Sequence, residues 1–354
     1  MGVGLSQSIL QKLLGTELPI IQAPMAGVQG SALAVAVSNA GGLGSLPCAM
    51  LAPDAIGHEL AAIKAQTSKP VNVNFFCHVP SAPNSEREAR WRASLKPYYA
   101  EFGIDASTIP AGAGRNPFTE EAAQVISEFK PAVVSFHFSL PSPELMARVK
   151  GWGAKLLCSA TTVDEARWLE SHGVDAIIAQ GLEAGGHRGM FLSEDLTTQV
   201  STLALLPQIV RAVNVPVIAA GGIADSKGVA AAIKLGAAGV QIGTAYLLCP
   251  EATTTAVHRT ALKSDAARHT ALTNLFTGRF ARGIVNRVMR ELGPISSAVP
   301  AFPFATAGIA PLRAKAEAQG SGDFSPLWAG QNVSGCKEIP AAQLTRQLAA
   351  DLPG

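Results

Sequence analysis

The sequence predicts an α/β fold, a (β/α)8 TIM barrel with an additional, mostly helical substrate region over its mouth. Three observations predict it. Eight short apolar runs alternate with helical stretches, the rhythm of a parallel sheet whose crossovers are helices. The runs are apolar throughout instead of alternating, as strands buried on both faces must be. Eight is also the strand number at which such a sheet closes into a barrel.

Residues 18–25 read as the first strand and 31–39 as a helix of small apolar residues, which Gly41 and Gly42 close because glycine accepts the left-handed cap. A second strand covers 43–48. Pro53, its φ already suited to a first helical turn, opens a helix that reaches residue 66. The third strand covers 70–76. From about 80 to 118 the composition turns polar, with Trp91, Tyr98 and Tyr99 around a helix over 85–100. Long insertions of this kind are commonly lids or binding loops. Alternation then becomes regular: helix 119–129, strand 132–138, helix 143–150, strand 155–158, helix 162–172, strand 176–180, helix 203–212, strand 216–220, helix 226–235, strand 239–243.

The chain thus divides into a barrel over 1–250, with its insertion at about 80–118, and a helical substrate region over 251–315. That region has helical stretches near 252–266 and 280–291. A C-terminal segment, 316–354, returns to the barrel and ends in a helix over 340–350.

Composition narrows the function. Lys and Arg number 28 against 26 Asp and Glu, without a basic tract, so nucleic acid is not an expected partner. The five cysteines (48, 77, 158, 249, 336) are odd in number and never spaced Cys-x-x-Cys. Reduced, mostly buried thiols in a cytoplasmic protein are expected, not a disulfide framework or a zinc site. No metal is expected at the histidines either, which lack ligand spacing. No secretory leader and no bilayer-spanning run are read, so no membrane partner is expected. Met1-Gly2-Val3-Gly4-Leu5-Ser6 matches the loose myristoylation pattern, which has three free positions and arises often by chance. Oligomeric state is not legible.

The most informative stretch is Gln180-Gly-Leu-Glu-Ala-Gly-Gly-His-Arg-Gly189, directly after an apolar strand. Gly185 and Gly186 permit backbone angles that side chains avoid, and let a flat ligand approach the main chain. His187 is then held beside that ligand. The seventh strand ends at Gly221 and Gly222, the eighth at Gln241, Ile242, Gly243 and Thr244. Glycine turns that open on helix N-termini offer free N–H groups and a positive dipole end to a phosphate. Barrels commonly bind one after strands seven and eight. Ala23, Pro24 and Met25 on the first strand, Asn74 on the third and Gln180 on the sixth add apolar atoms and amides. An amide both donates and accepts, as the edge of a flavin pyrimidine requires. Flavin mononucleotide (FMN), ring over the mouth and phosphate at strands seven and eight, fits all of them.

Gln22-Ala-Pro-Met-Ala-Gly27, Asn39-Ala-Gly-Gly-Leu-Gly44, the 180–189 stretch, Ala219-Ala-Gly-Gly-Ile-Ala-Asp225, Gln241-Ile-Gly-Thr244 and Leu327-Trp-Ala-Gly-Gln331 together resemble the nitronate monooxygenase family, formerly called 2-nitropropane dioxygenase. Asn74-Phe-Phe-Cys-His-Val-Pro80 is similar to the third-strand motif of its class I members. The resemblance implies an FMN enzyme that oxidises alkyl nitronates, such as propionate 3-nitronate, with dioxygen and without nicotinamide. The products would be a carbonyl compound and nitrite. It implies His187 as the catalytic residue. For a neutral nitroalkane His187 would be the general base, its ordinary pKa lying near working pH. For a nitronate, already deprotonated, it would orient the anion. His137, at the end of the fourth strand, is implied as a substrate contact.

One departure stands out. Where class I members carry tyrosine and sometimes lysine for a carboxylate-bearing nitronate, this chain has Phe302 and Phe304, and no lysine before Lys315. Phe302 is then the expected substrate contact there. Arg188 and Arg313 are the cations left to consider, each equally able to be held in a salt bridge, and a small, less charged nitronate is an equal expectation. His58, His172, His258 and His269 fall on helical stretches and are expected at the surface, and no role follows for His78. Two readings compete: an FMN-dependent NAD(P)H reductase on the same scaffold, of the enoyl-ACP or quinone type, and a phosphate-binding barrel without flavin. Against an aldolase of the latter kind, no lysine ends a predicted strand.

Overall fold

The computed structural model describes residues 8–110 and 115–352, so the myristoylation pattern at 1–6 lies outside the described residues. Its strands are β1 (Ile20–Gln22), β2 (Gly44–Pro47), β3 (Val71–Phe76), β4 (Val133–His137), β5 (Lys155–Ala160), β6 (Ala176–Gln180), β7 (Gly186–His187), β8 (Val217–Ala220), β9 (Gly239–Ile242), β10 (Thr270–Thr273) and β11 (Ala281–Ile284). All but β7, β10 and β11 join one eight-stranded sheet of order β1-β9-β8-β6-β5-β4-β3-β2. A parallel bridge between Ile21 and Leu43 connects its two edges, with Gln22 N–H on Leu43 O and Leu43 N–H on Ile20 O, both at 2.9 Å. The sheet is therefore closed. This is the predicted (β/α)8 barrel.

The helices are α1 (Ile9–Leu14), α2 (Ser31–Asn39), α3 (Pro53–Gln66), α4 (Ser85–Glu101), α5 (Glu120–Phe129), α6 (Pro143–Gly151), α7 (Val163–Ser171), α8 (Thr202–Ala212), α9 (Ser226–Lys234), α10 (Ala256–Lys263), α11 (Arg287–Glu291), α12 (Ala305–Ala318) and α13 (Ala341–Leu348). Helices α2, α3, α5 to α9 and α13 pack around the barrel on one continuous core that includes Leu33, Leu60, Ile126, Val149, Leu169, Leu206, Val229 and Leu344. The chain thus completes its eighth βα unit only with α13, after the whole region between β9 and α13 has been built. Side chains of Thr119, Ser142, Thr162, Ser201 and Asp225 accept backbone N–H groups at the starts of α5 to α9. These groups would otherwise be orphaned, and the caps set where each βα turn ends. Helix α1, not foreseen from the sequence, plugs the amino end of the barrel: Leu10 and Leu14 meet Ile21, Leu43, Val133, Leu157 and Ile218 inside it.

A second core lies over the opposite, carboxyl end. Trp91, Leu95, Tyr98 and Tyr99 of α4 pack with Leu275, Phe276, Val288, Met289, Ile309 and Leu312. Trp91 Nε1–H donates to Ala305 O at 3.1 Å and the Tyr99 hydroxyl to Gly308 O at 2.6 Å. The polar insertion and the region after β9 are therefore one cap. Within it, β10, β11 and β7 form a three-stranded antiparallel sheet. This corrects the reading of 280–291 as helix. Its first half is β11, held by partners on both sides (Ala281 opposite His187, Gly283 opposite Ala271), and only α11 is helical. Helix α12, unforeseen, adds Ala305, Ile309, Leu312 and Ala316 to this core.

Candidate active site

The carboxyl ends of β1, β3, β6, β8 and β9 surround a cavity of about 260 Å3, closed above by the cap. Ala23, Pro24, Met25, Asn74, Gln180, Gly185, Gly186, Gly221, Gly222, Gln241, Ile242, Gly243 and Thr244 all line it, as do His187 and His137. Phe302 does not line it. Its ring is buried behind the wall, packed on Phe76, Phe138, His78 and His187.

One pole of the cavity is a main-chain cradle. Gly221 and Gly222 have φ of +118° and +74°, values that only glycine adopts freely. Among the described residues no protein acceptor takes the N–H of Gly222, Gly243 or Thr244. Thr244 begins a 3-10 turn whose first residues have no side-chain cap, so these donors face the cavity unpaired, as an anion site requires. Gln241 Oε1 is a buried acceptor without a partner, at the cavity wall. Such a group is costly unless a ligand donor meets it. Asn74 gives its Nδ2–H to Ser135 Oγ at 2.9 Å, which fixes the amide and leaves Oδ1 for a ligand. A phosphate-bearing, hydrogen-bonding flat group fits this donor and acceptor set.

Gln180, which lines the cavity, also has a structural task. Its Nε2–H donates to His187 O at 2.9 Å and its Oε1 accepts from Gly189 N–H at 2.8 Å, so both atoms of the amide pin the carboxyl end of the glycine-rich loop. Arg188 lies beneath that loop, 1 % exposed, and donates to Gly181 O, Gln180 O and Gln199 Oε1. Burial pushes its pKa down to about 10. It is a structural staple, not a substrate cation. Arg313 does line the cavity but is held by Glu317 at 2.8 Å.

The other pole is built around His187. It belongs to β7, so the pairing with β11 holds it as firmly as a sheet residue. Its Nε2 lies 2.9 Å from Thr277 Oγ1, and Thr277 can turn its own proton to Arg279 O at 3.3 Å. With that proton so turned, His187 donates Nε2–H and keeps Nδ1 bare. Rings of Phe76, Phe138, Phe302 and Trp328 stand 5.6–6.0 Å from the imidazole. Burial lowers the pKa of His187 well below its ordinary value, and the charges of Arg115, His137, Arg279 and His78 push the same way. The surroundings thus favour the uncharged imidazole, in contrast to the near-neutral value of an unperturbed histidine. His137 is also satisfied inside the wall, Nδ1 on Ser159 Oγ at 3.0 Å and Nε2 on His187 O at 3.1 Å. Burial brings its pKa down to about 4.

Several lining residues escaped the sequence reading: Arg115, Ser135, Ser159, Glu183, His258, Trp328 and Asn332, with Thr277 behind His187. Ser135 is visible as a lone polar residue inside an apolar strand. His258, expected at the surface, is 4 % exposed, with Nε2 unpartnered. His78 also acquires a task, since its Nε2 bonds Arg115 O at 2.9 Å. No helix is long and apolar enough to cross a membrane among the described residues.

Comparison with known proteins agrees with this geometry. The family described as nitronate monooxygenase matches residues 7–351. Nitronate monooxygenase of Pseudomonas aeruginosa is 43% identical over 97% of this chain and 98% of its own. The crystal structure of nitroalkane oxidase from Streptomyces ansochromogenes superposes with a TM-score of 0.88 at 38% identity, covering 97% of both chains. FabK from Thermotoga maritima superposes at 0.71 and 27% identity, over 97% of this chain and 95% of that one. The chain is an oxidoreductase and belongs to the nitronate monooxygenase family.

Proposed function

We propose that this protein binds FMN and oxidises alkyl nitronates, propionate 3-nitronate among them, with dioxygen to a carbonyl compound and nitrite. The observation that carries the reading is the single cavity with a free N–H cradle at one pole and an uncharged, hydrogen-bonded His187 at the other. The flavin phosphate would be held by the N–H groups of Gly222, Gly243 and Thr244, and the ring edge by Gln241 and Asn74. What a flavin supplies there is an electron acceptor that dioxygen can reoxidise. The protein's own part is to place and deprotonate. His187 Nδ1 takes the proton alpha to a nitro group, Thr277 holds the ring by its other nitrogen, and the aromatic wall excludes water. A nitronate needs no base, and His187 then serves to orient it.

Oxygen uptake by the purified protein with propionate 3-nitronate and with ethylnitronate, in the absence of nicotinamide, tests the reading. Uptake with both is the expected result. The likeness to FabK keeps a reductase as the specific competitor. Anaerobic bleaching of the flavin by NADH or NADPH, without nitronate turnover, would replace the proposal with that one.

A further inference from the structure

We propose that Arg115 is the receptor for a carboxylate carried by the nitronate, so that this site selects carboxylated over uncharged substrates. The inference rests on the nitronate-oxidising reading above and concerns which nitronate. Arg115 lies at the end of the insertion and lines the cavity. Its guanidinium is 5.7 Å from the centroid of Phe302, and the imidazole of His187 is 5.8 Å from the same ring. Both side chains line the same cavity, so one ligand there can meet both.

What singles Arg115 out is that its neighbours are all engaged. Arg188 is spent on loop carbonyls, and Arg282 on Leu182 O and Thr270. Arg279 lies over Phe138 at 4.1 Å and donates to Met190 O, while Arg313 is paired with Glu317. Among the described residues the Arg115 guanidinium has neither an ion pair nor a hydrogen-bond acceptor, and no lysine lines the cavity. An enclosed guanidinium without a counter-ion is costly, and a carboxylate that meets it in a bidentate fork relieves that cost. The backbone is prepared for this, because His78 bonds Arg115 O at 2.9 Å and packs edge-on against Phe302 at 4.8 Å. Phe302 and Phe304 have no hydroxyl to offer an anion. Arg115 supplies from the insertion the unpaired cation that the 302–315 stretch does not offer, since its Arg313 is paired with Glu317 and its Lys315 is exposed outside the cavity.

The test compares wild type with Arg115→Ala and Arg115→Lys on propionate 3-nitronate and on 1-propylnitronate, which has the same chain length without the carboxylate. Arg115→Ala should lower kcat/KM for propionate 3-nitronate about 10- to 100-fold, through KM, since a charged hydrogen-bonded contact is lost. The value for 1-propylnitronate should stay within about threefold. Added guanidinium ion should restore part of the loss in Arg115→Ala, which a merely structural role would not allow. Equal loss on both substrates, or no loss on either, overturns the inference. Binding of propionate to the flavin-loaded protein, followed by the flavin spectrum, is the second readout and does not depend on turnover. It should weaken in Arg115→Ala, and unchanged binding, or none in wild type, overturns the inference too. If wild type oxidises neither nitronate but binds propionate through Arg115, the proposed reaction fails and the carboxylate receptor stands.

Discussion

In the barrel, each strand is buried on both faces and most strands pair with a neighbour in the chain; in the cap, β7 finds its partner β11 across the whole of α8, β8, α9, β9 and α10. The barrel is made of repeated βα units and offers the cavity mostly backbone: glycine turns, free N–H groups and a few fixed amides. The cap is assembled from distant pieces and offers side chains: His187 on its sheet, Thr277 and Trp328 around it, Arg115 from the insertion. On the proposed reading, cofactor binding and the tuning of His187 are thus lodged in different parts of the molecule. Perturbing them separately tests whether the division is real.

The largest effect belongs to His187. Replacing it by Asn keeps a polar group of similar size, and should cost about 10²- to 10⁴-fold in kcat/KM for a neutral nitroalkane, the usual contribution of a general base. A nitronate should suffer far less. The pH profile is set by the same surroundings. A base must be uncharged to accept a proton, so activity falls as pH drops through its pKa. Burial and the nearby cations hold that pKa well below the ordinary histidine value. The acidic limb for nitroalkane turnover should therefore lie below pH 6.5, with a plateau above it. A limb at or above that pH in the wild type, absent in His187→Asn, would show that His187 is charged in the working enzyme and would remove it as a buried base.

Trp91→Ala strikes the cap alone. The side chain is 1 % exposed and holds α4 to α12, so its loss should destabilise that layer by about 3–5 kcal/mol. Amide exchange should rise in β7, β10, β11 and α12 and stay slow in the eight barrel strands. Uniform acceleration would mean that barrel and cap unfold as one body. Gly185→Ala strikes the glycine-rich loop of the barrel instead. A Cβ there would come within 2.5 Å of Gly330 N and 2.6 Å of the Ala329 carbonyl carbon, backbone atoms that cannot step aside. Flavin affinity should fall about 10- to 100-fold from the resulting strain, and the same overpacking should cost the flavin-free protein about 1–3 kcal/mol of stability. Retained flavin with damaged turnover would place this glycine with the chemistry.

The same division governs what could be read from the sequence. Helix α3 and strand β6 lie where the pattern placed them, because continuous apolar runs, a Pro at the first turn and closing glycines are local signals. Every expected flavin contact lines one cavity for the same reason: the fold sends all strand ends to one face. Strand β7 was invisible, since Gly186-His187 has no apolar pattern and exists only through β11. Thr277 and Arg115 gave no signal either. Each is an ordinary polar residue until long-range pairing carries it to the histidine. The lowered pKa of His187 gave no signal because its main cause, burial beneath the cap, and its lesser ones, Arg115, His137, Arg279 and His78, come from parts scattered along the chain.

Thr277→Val removes the smallest piece, a single hydroxyl behind the His187 ring. The residue is buried and its Oγ1 lies 2.9 Å from His187 Nε2, so valine fills nearly the same space without the acceptor. One neutral hydrogen bond is worth about 1 kcal/mol, which corresponds to about a fivefold loss in turnover of a neutral nitroalkane. More telling than the size is the pattern. Without Thr277 the ring is free to carry its proton on Nδ1, the nitrogen that must be bare, so kcat should fall while KM stays constant, and Thr277→Ser should restore it. Nitronate oxidation, which needs no proton transfer to His187, should be unchanged in both variants. A loss shared by the two substrates, or one that serine does not repair, would mean that Thr277 only packs against the ring, and that the cap positions His187 through the β7–β11 pairing alone.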